Sequence, residues 1–183
     1  DMVETQLQMV QKLELSKEDH EVLIEHCEAN NIGFLSTAFD SESVDLLESF
    51  GQSIFKIPSG EITNFPLIRQ IARIPGKKII STGMSTMEEI KQAIEVLEKA
   101  GTTRSDMIVL HCNTQYPTPM EDVNLRAMRT IQNKFDVAEI AISNIVGEFF
   151  INEFVTALSD TKEIISFKID GMLSKVSVNT SGS

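Results

Sequence analysis

"KKIISTGMSTMEEIKQAIEVLEKAG", residues 77–101, reads as one strand followed by one helix. The run through Ile79 and Ile80 is short, apolar and β-branched, which suits a strand. It stops at Ser81, Thr82 and Gly83. Beyond that point the apolar period changes. Ile90, Ala93, Ile94 and Leu97 recur at helical spacing and predict a single buried stripe. Ser85 and Glu88 are spaced as a capping box, and Gly101 is a suitable stop.

The same beat recurs on both sides. "GFLSTAF" (33–39), "SIFKIPS" (53–59) and "MIVLHCN" (107–113) are further short runs rich in Ile, Phe and Val. Helical periodicity lies between them. In "LSKEDHEVLIEHCEANN", Ser16 is the expected cap and Leu23, Ile24 and Cys27 the expected inward face. In "NFPLIRQIAR", Asn64 can cap and Pro66 falls in the first turn. In "EDVNLRAMRTIQNKF", Leu125, Met128, Ile131 and Phe135 share one side. Strands alternating with helices at this spacing predict βα units on a parallel sheet, covered on both faces. No G-x-G-x-x-G follows any strand, so a dinucleotide fold has no support.

Polar groups cluster where each strand ends: Ser36 and Thr37, then Lys56 with Ser59 and Glu61, then Ser81 and Thr82, then His111 to Tyr116. A (β/α)8 barrel keeps its active site at that end. The expectation is therefore an α/β fold, a TIM-type barrel that is incomplete, with about six βα units. Residues 1–136 supply the central units and 137–183 form a tail.

Bulk composition narrows the function. The 183 residues carry a net charge of −11, which argues against nucleic acid or an anionic membrane as partner. No apolar run reaches the ~18 residues of a membrane helix. The acidic start is not a secretory signal. Cytoplasmic location is expected. The two cysteines, Cys27 and Cys112, have no metal-type spacing and suit a reducing compartment; the plain reading is two small buried hydrophobes.

Lys56 sits between Phe55 and Ile57 in a strand, so it points opposite to them, which in a barrel is inward. A buried ammonium needs an anion. Ser59 and Gly60 offer a hydroxyl and an unencumbered N–H for a phosphate or carboxylate, and Glu61 a proton carrier. The plainer reading is a Lys56–Glu61 ion pair at a strand end. Ser81 and Thr82 could bind a ligand or simply cap the next helix, with Gly83 permitting close approach. "HCNTQYPTP" (111–119) sets amides, hydroxyls and the chain's single tyrosine, Tyr116, before two prolines. His111 has no second ligand at metal spacing and reads as a hydrogen-bonded barrel histidine. His20 and His26 fall on different faces of a helix.

"FKIPSGEITNFPLIRQIA", "IISTGMSTMEEIKQAIEVL" and "LHCNTQYPTPMEDVNLRAM" closely resemble the sialic acid synthase family from about Leu13 to Phe135. The resemblance implies condensation of phosphoenolpyruvate with N-acetylmannosamine or a related bacterial aldose, releasing phosphate. It implies that Lys56 and Ser59 hold the phosphoenolpyruvate anion and that Glu61 transfers protons. Ser81 would bind phosphate, as would Thr114 at the position of a family asparagine, with Asn113 just before it. Tyr116 matches a tyrosine near the sugar. The tail shows a likeness to the family's opening βαβ unit, in which Glu139 would match a sugar-binding glutamate. That order would be permuted or pieced together from fragments, unless the likeness is accidental. The resemblance also implies a homodimer of the full-length protein and a divalent metal, Mn2+ or Mg2+. The family's metal-binding histidine motifs, S-D-H-T and K-H-F, do not occur in the 183 residues. The alternative expectation is an incomplete barrel that binds a small anion, or joins a partner, without turnover.

Overall fold

The structure, a computed structural model, describes residues 5–115, 118–119 and 122–142. The described elements run α1 (Gln6–Leu13), α2 (Lys17–Ala29), α3 (Ser41–Ser49), β1 (Phe55–Ile57), α4 (Phe65–Arg73), β2 (Lys78–Ser81), α5 (Met87–Lys99), β3 (Met107–His111), α6 (Leu125–Phe135) and β4 (Glu139–Ile142). From β1 onward strand and helix alternate, and the four strands pair in sequence order, all parallel. This is the α/β arrangement that the residue periods predict.

The helices put their apolar stripes on one face of the sheet. Leu67, Ile68 and Ile71 of α4, Ile90, Ala93, Ile94 and Leu97 of α5, and Ile131 and Phe135 of α6 are buried against Phe55, Ile57, Ile80, Met107 and Val109. Met128 is only half-buried and Leu125 exposed, so the α6 stripe is shorter than its spacing predicts. The opposite face carries a smaller cluster of Ile79, Ile108 and Leu110. Both faces of β2 are buried, as the unbroken apolar run requires.

Helix ends follow local chemistry. Ser16 accepts from the Asp19 N–H, and Asn64 accepts from the Leu67 N–H at 3.3 Å, with Pro66 in the first turn of α4. Gly101, at φ +111°, follows α5 in a conformation that L side chains rarely adopt. The α5 box lies one residue later than expected. Thr86 and Glu89 make it, because the Ser85 N–H already donates to the Thr82 carbonyl at 2.8 Å and belongs to the preceding turn.

Two expectations fail. Residues 33–38 form no strand. Their link to the sheet is a side chain: the Gln52 amide accepts from the Ser36 N–H at 2.9 Å and donates to the Ser36 carbonyl at 3.0 Å. Gln52 thus does for one residue what a neighbouring strand does for a row. The helix α2 buries nothing either; Leu23 is exposed, and Ile24 and Cys27 are half-buried. Its contact with the core runs through His20, whose ring stacks on Phe50 at 5.8 Å and meets Phe34 edge-on at 6.1 Å.

Candidate functional site

The strand register decides which way Lys56 points. Lys56 pairs with Ile79, and Ile79 with Ile108. It therefore lies on the face of the small Ile79–Ile108–Leu110 cluster, away from the helices, and Ser81, two residues past Ile79, shares that face. Lys56 thus points opposite to Phe55 and Ile57, as strand alternation predicts. Lys56 is half-buried, and loss of solvent holds its ammonium below the usual lysine range, with the Cys112 sulfur offsetting part of this. Among the described residues no carboxylate lies within ion-pair distance of it, Glu61 included. The Glu61 carboxylate instead accepts from Asn64 Nδ2 at 2.7 Å. The plain ion-pair reading of Lys56 and Glu61 is thereby corrected.

Lys78, on the next strand, makes the contrast. It faces the helix side, is 0% exposed, and donates to the carbonyls of Ile74 at 2.7 Å and Gly76 at 2.8 Å. It thereby satisfies two carbonyls of the turn that follows helix α4. Among the described residues no carbonyl accepts from Lys56 in this way.

Three loops meet beyond the strand ends. After β1, Ser59–Glu61 forms a single 3-10 turn following Pro58. After β2, the Thr82 N–H and Oγ1 both donate to the Leu110 carbonyl at 3.0 Å, tying the exit of β2 to β3. Gly83 follows at φ +50°. A Cβ there would stand 2.6 Å from the Ser59 Cβ and Oγ and 3.5 Å from the Thr114 Cγ2. Ser59 and Thr114 thus both come close to Gly83, from the βα loops on either side of it. The Gly83 N–H donates to Cys112 Sγ at 3.2 Å. Asn113 Oδ1 accepts from the N–H groups of Thr114 and Gln115, folding the third loop back on itself.

The structure therefore brings Ser59 and Thr114 together and sets Lys56 and Ser81 on the same sheet face. Glu61 is in the β1 turn with its carboxylate on Asn64. Tyr116 and the tail beyond Ile142 lie outside the described residues. Glu139 takes the register position opposite Ile108, and its side chain lies outside the description. His111 pairs with Ile142, and since alternate residues face opposite ways it lies on the other face from Leu110; burial lowers its imidazole pKa. Sequence reasoning missed the use of Gly83 and Cys112. Gly83 leaves room on its Cα side for the Ser59 side chain, a use that its place after the strand does not reveal. The described residues contain no group of three or more His, Cys, Asp or Glu placed to hold a metal ion, so they do not fit the divalent metal expected from the resemblance. None of the described helices is long and apolar enough to cross a membrane.

Comparison with known proteins agrees with this arrangement. A family model described as the NeuB family matches residues 1–144. The chain is 54% identical over 132 residues to N,N'-diacetyllegionaminic acid synthase of Campylobacter jejuni, covering 72% of this chain and 40% of that protein. It is 44% identical over 135 residues to the synthase of the same name from Legionella pneumophila, covering 73% and 38%. The crystal structure of an N-acetylneuraminic acid synthetase from Leptospira borgpetersenii, in complex with citrate, superposes with a TM-score of 0.70 at 29% identity, over 80% of this chain and 49% of that one. The chain thus spans about 40% of the length of the curated relatives it matches. With three strand-end motifs in family order and a family match over most of its length, the chain belongs to the NeuB family.

Proposed function

We propose that the chain is the phosphoenolpyruvate-binding part of a synthase that joins phosphoenolpyruvate to an N-acetylated aldose, giving a nonulosonic acid and phosphate. The observation that carries this reading is the meeting of Ser59, Gly83 and Thr114 beyond the strand ends, with Lys56 half-buried on the sheet face away from the helices and no carboxylate within ion-pair distance of it among the described residues. The names of the relatives support the product class. On this reading the described strands are consecutive staves of an eight-stranded barrel, with ligands at their C-terminal ends.

The chemistry balances with water as the third reactant. C3 of phosphoenolpyruvate attacks the aldehyde carbon and forms the new C–C bond, while the aldehyde oxygen takes a proton. Water adds to C2 and loses a proton. The adduct then expels inorganic phosphate by C–O cleavage, leaving a keto group. Lys56, Ser59, Ser81 and Thr114 hold the anion so that C3 faces the aldehyde, a positioning effect that is worth several kcal/mol in favourable cases. Glu61, in the same turn as Ser59, carries a proton in one of the two transfers. No step is assigned to a metal, since the described residues do not fit one.

A second reading, anion binding without turnover, is favoured by the lack, among the described residues, of a group placed to hold a metal ion. One experiment separates the two. The chain is titrated calorimetrically with phosphoenolpyruvate, then incubated with phosphoenolpyruvate and N-acetylmannosamine while phosphate is measured. Phosphate release that needs both substrates supports the synthase. Binding without release selects the second reading. Absence of binding, or equal release from phosphoenolpyruvate alone, overturns both.

A further inference from the structure

We infer that Gly83 and Cys112 are positioning residues that set the spacing of the anion-binding loops, with the Cys112 sulfur acting as the latch for the Gly83 amide. The inference rests on the reading of Lys56, Ser59 and Thr114 as an anion clamp. It adds a role for two residues that touch no ligand on that reading.

The geometry carries it from both sides of one residue. On the Cα side, Gly83 leaves open the volume that Ser59 occupies; a Cβ would stand 2.6 Å from the Ser59 side chain and 3.5 Å from Thr114. Its φ of +50° is the left-handed region, where a side chain adds strain to the clash. On the amide side, the Gly83 N–H is held by Cys112 Sγ at 3.2 Å. The thiol in turn reaches the Leu110 carbonyl at 3.7 Å, the same carbonyl that takes both Thr82 hydrogen bonds. Cys112 thus ties the loop after β2 to the end of β3.

A buried space-filling cysteine would need none of these contacts. Sulfur is a weak acceptor with a long reach, so it holds the amide without drawing Gly83 as close as an oxygen would. If the latch is lost, the amide is unpaired, Gly83 is free to leave its left-handed conformation, and the packing of Ser59 and Thr114 around Gly83 loosens. Lys56 would remain, with its oxygen-bearing partners displaced.

The test uses Cys112→Ala and Cys112→Ser in the whole chain. Gly83 amide exchange and the Ser59 and Thr114 amide resonances are followed by nitrogen-15 NMR, and phosphoenolpyruvate is titrated. With alanine, Gly83 exchange should accelerate about tenfold, the worth of one weak hydrogen bond. Phosphoenolpyruvate affinity should fall by a similar factor, while exchange at Ile79 and Val109 stays unchanged. Serine, which can still accept, should recover much of both. Unchanged Gly83 exchange in the alanine variant overturns the latch, as does a freed Gly83 amide with unchanged affinity. Failure of the clamp reading looks different: wild type and Lys56→Met would then show no difference in affinity. In that case displaced Ser59 and Thr114 resonances in Cys112→Ala still support the latch, and unmoved ones overturn it. Should the alanine variant fail to fold, Cys112→Val, which fills the site without an acceptor, decides by the same readouts: faster Gly83 exchange with displaced Ser59 and Thr114 resonances supports the latch, and unchanged exchange overturns it.

Discussion

Replacing Lys56 by methionine should move binding and stability in opposite directions. The side chain keeps its length and loses its charge. In the ligand-free protein that charge is half-buried, and no described carboxylate is within pairing distance. Burial lowers its pKa from the ordinary 10.5, which means the folded state disfavours the ammonium. Removing it should therefore leave the melting temperature equal or higher. With phosphoenolpyruvate bound, the same ammonium donates a charge-assisted hydrogen bond worth about 1.5–3 kcal/mol, so the dissociation constant should rise roughly 10- to 150-fold. The pH dependence has a definite sign. Because the folded pKa is depressed, the unfolded chain binds the extra proton, and the penalty on the wild type is full below the folded pKa. It fades as pH rises from the folded pKa toward 10.5, so the stability advantage of the variant should be largest near neutrality and shrink in alkali. Calorimetric titration and thermal denaturation of both proteins across this range make the check. A loss of several degrees in the variant, or an unchanged affinity, would refute the idea of a lysine kept waiting for an anion.

Other substitutions probe the frame around it. Glu61→Gln keeps an acceptor for Asn64 Nδ2 and should leave melting temperature and phosphoenolpyruvate affinity unchanged; coupled phosphate release should drop roughly 10²- to 10⁴-fold, and undiminished release removes Glu61 from proton transfer. Gln52→Leu strips both hydrogen bonds from the Ser36 backbone and should cost about 2–4 kcal/mol in chemical denaturation, with a loss under 0.5 kcal/mol (about the effect of a neutral surface change) showing the bridge to be idle. His20→Ala removes the aromatic contact of α2; amide exchange over residues 17–29 should accelerate while Ile80 and Val109 stay protected, and uniform protection would mean α2 is held elsewhere.

Much of the fold was legible because its helices are strongly one-sided. The stripe of Ile90, Ala93, Ile94 and Leu97 is buried residue for residue. The strands β1 to β3 lie inside the apolar runs that predicted them. What escaped was decided by tertiary context. Ser85 and Thr86 each stand three residues before a glutamate, and only the turn onto Thr82 selects the second box. "GFLSTAF" has strand composition, but a strand exists only where a ladder does, and here a glutamine side chain takes its place. For α2 the pattern gave a face without saying what would cover it. In the site, the direction of Lys56 followed from alternation alone. The contact of Ser59 with Gly83 did not, because loop-to-loop distances leave no period in a sequence.

The two lysines on neighbouring strands differ in a property that a charge map does not show. Both have depressed pKa values. In each, a larger share of amine is neutral at a given pH than in an ordinary surface lysine, and the neutral amine is the nucleophile. Lys78 is sealed from solvent and hydrogen-bonded to two carbonyls, so reagents do not reach it. Lys56 combines the reactive form with partial access. A small amine-directed electrophile offered in limiting amount should therefore acylate Lys56 ahead of the more numerous exposed lysines, and a bound anion should shield it, making this one side chain a built-in reporter of occupancy.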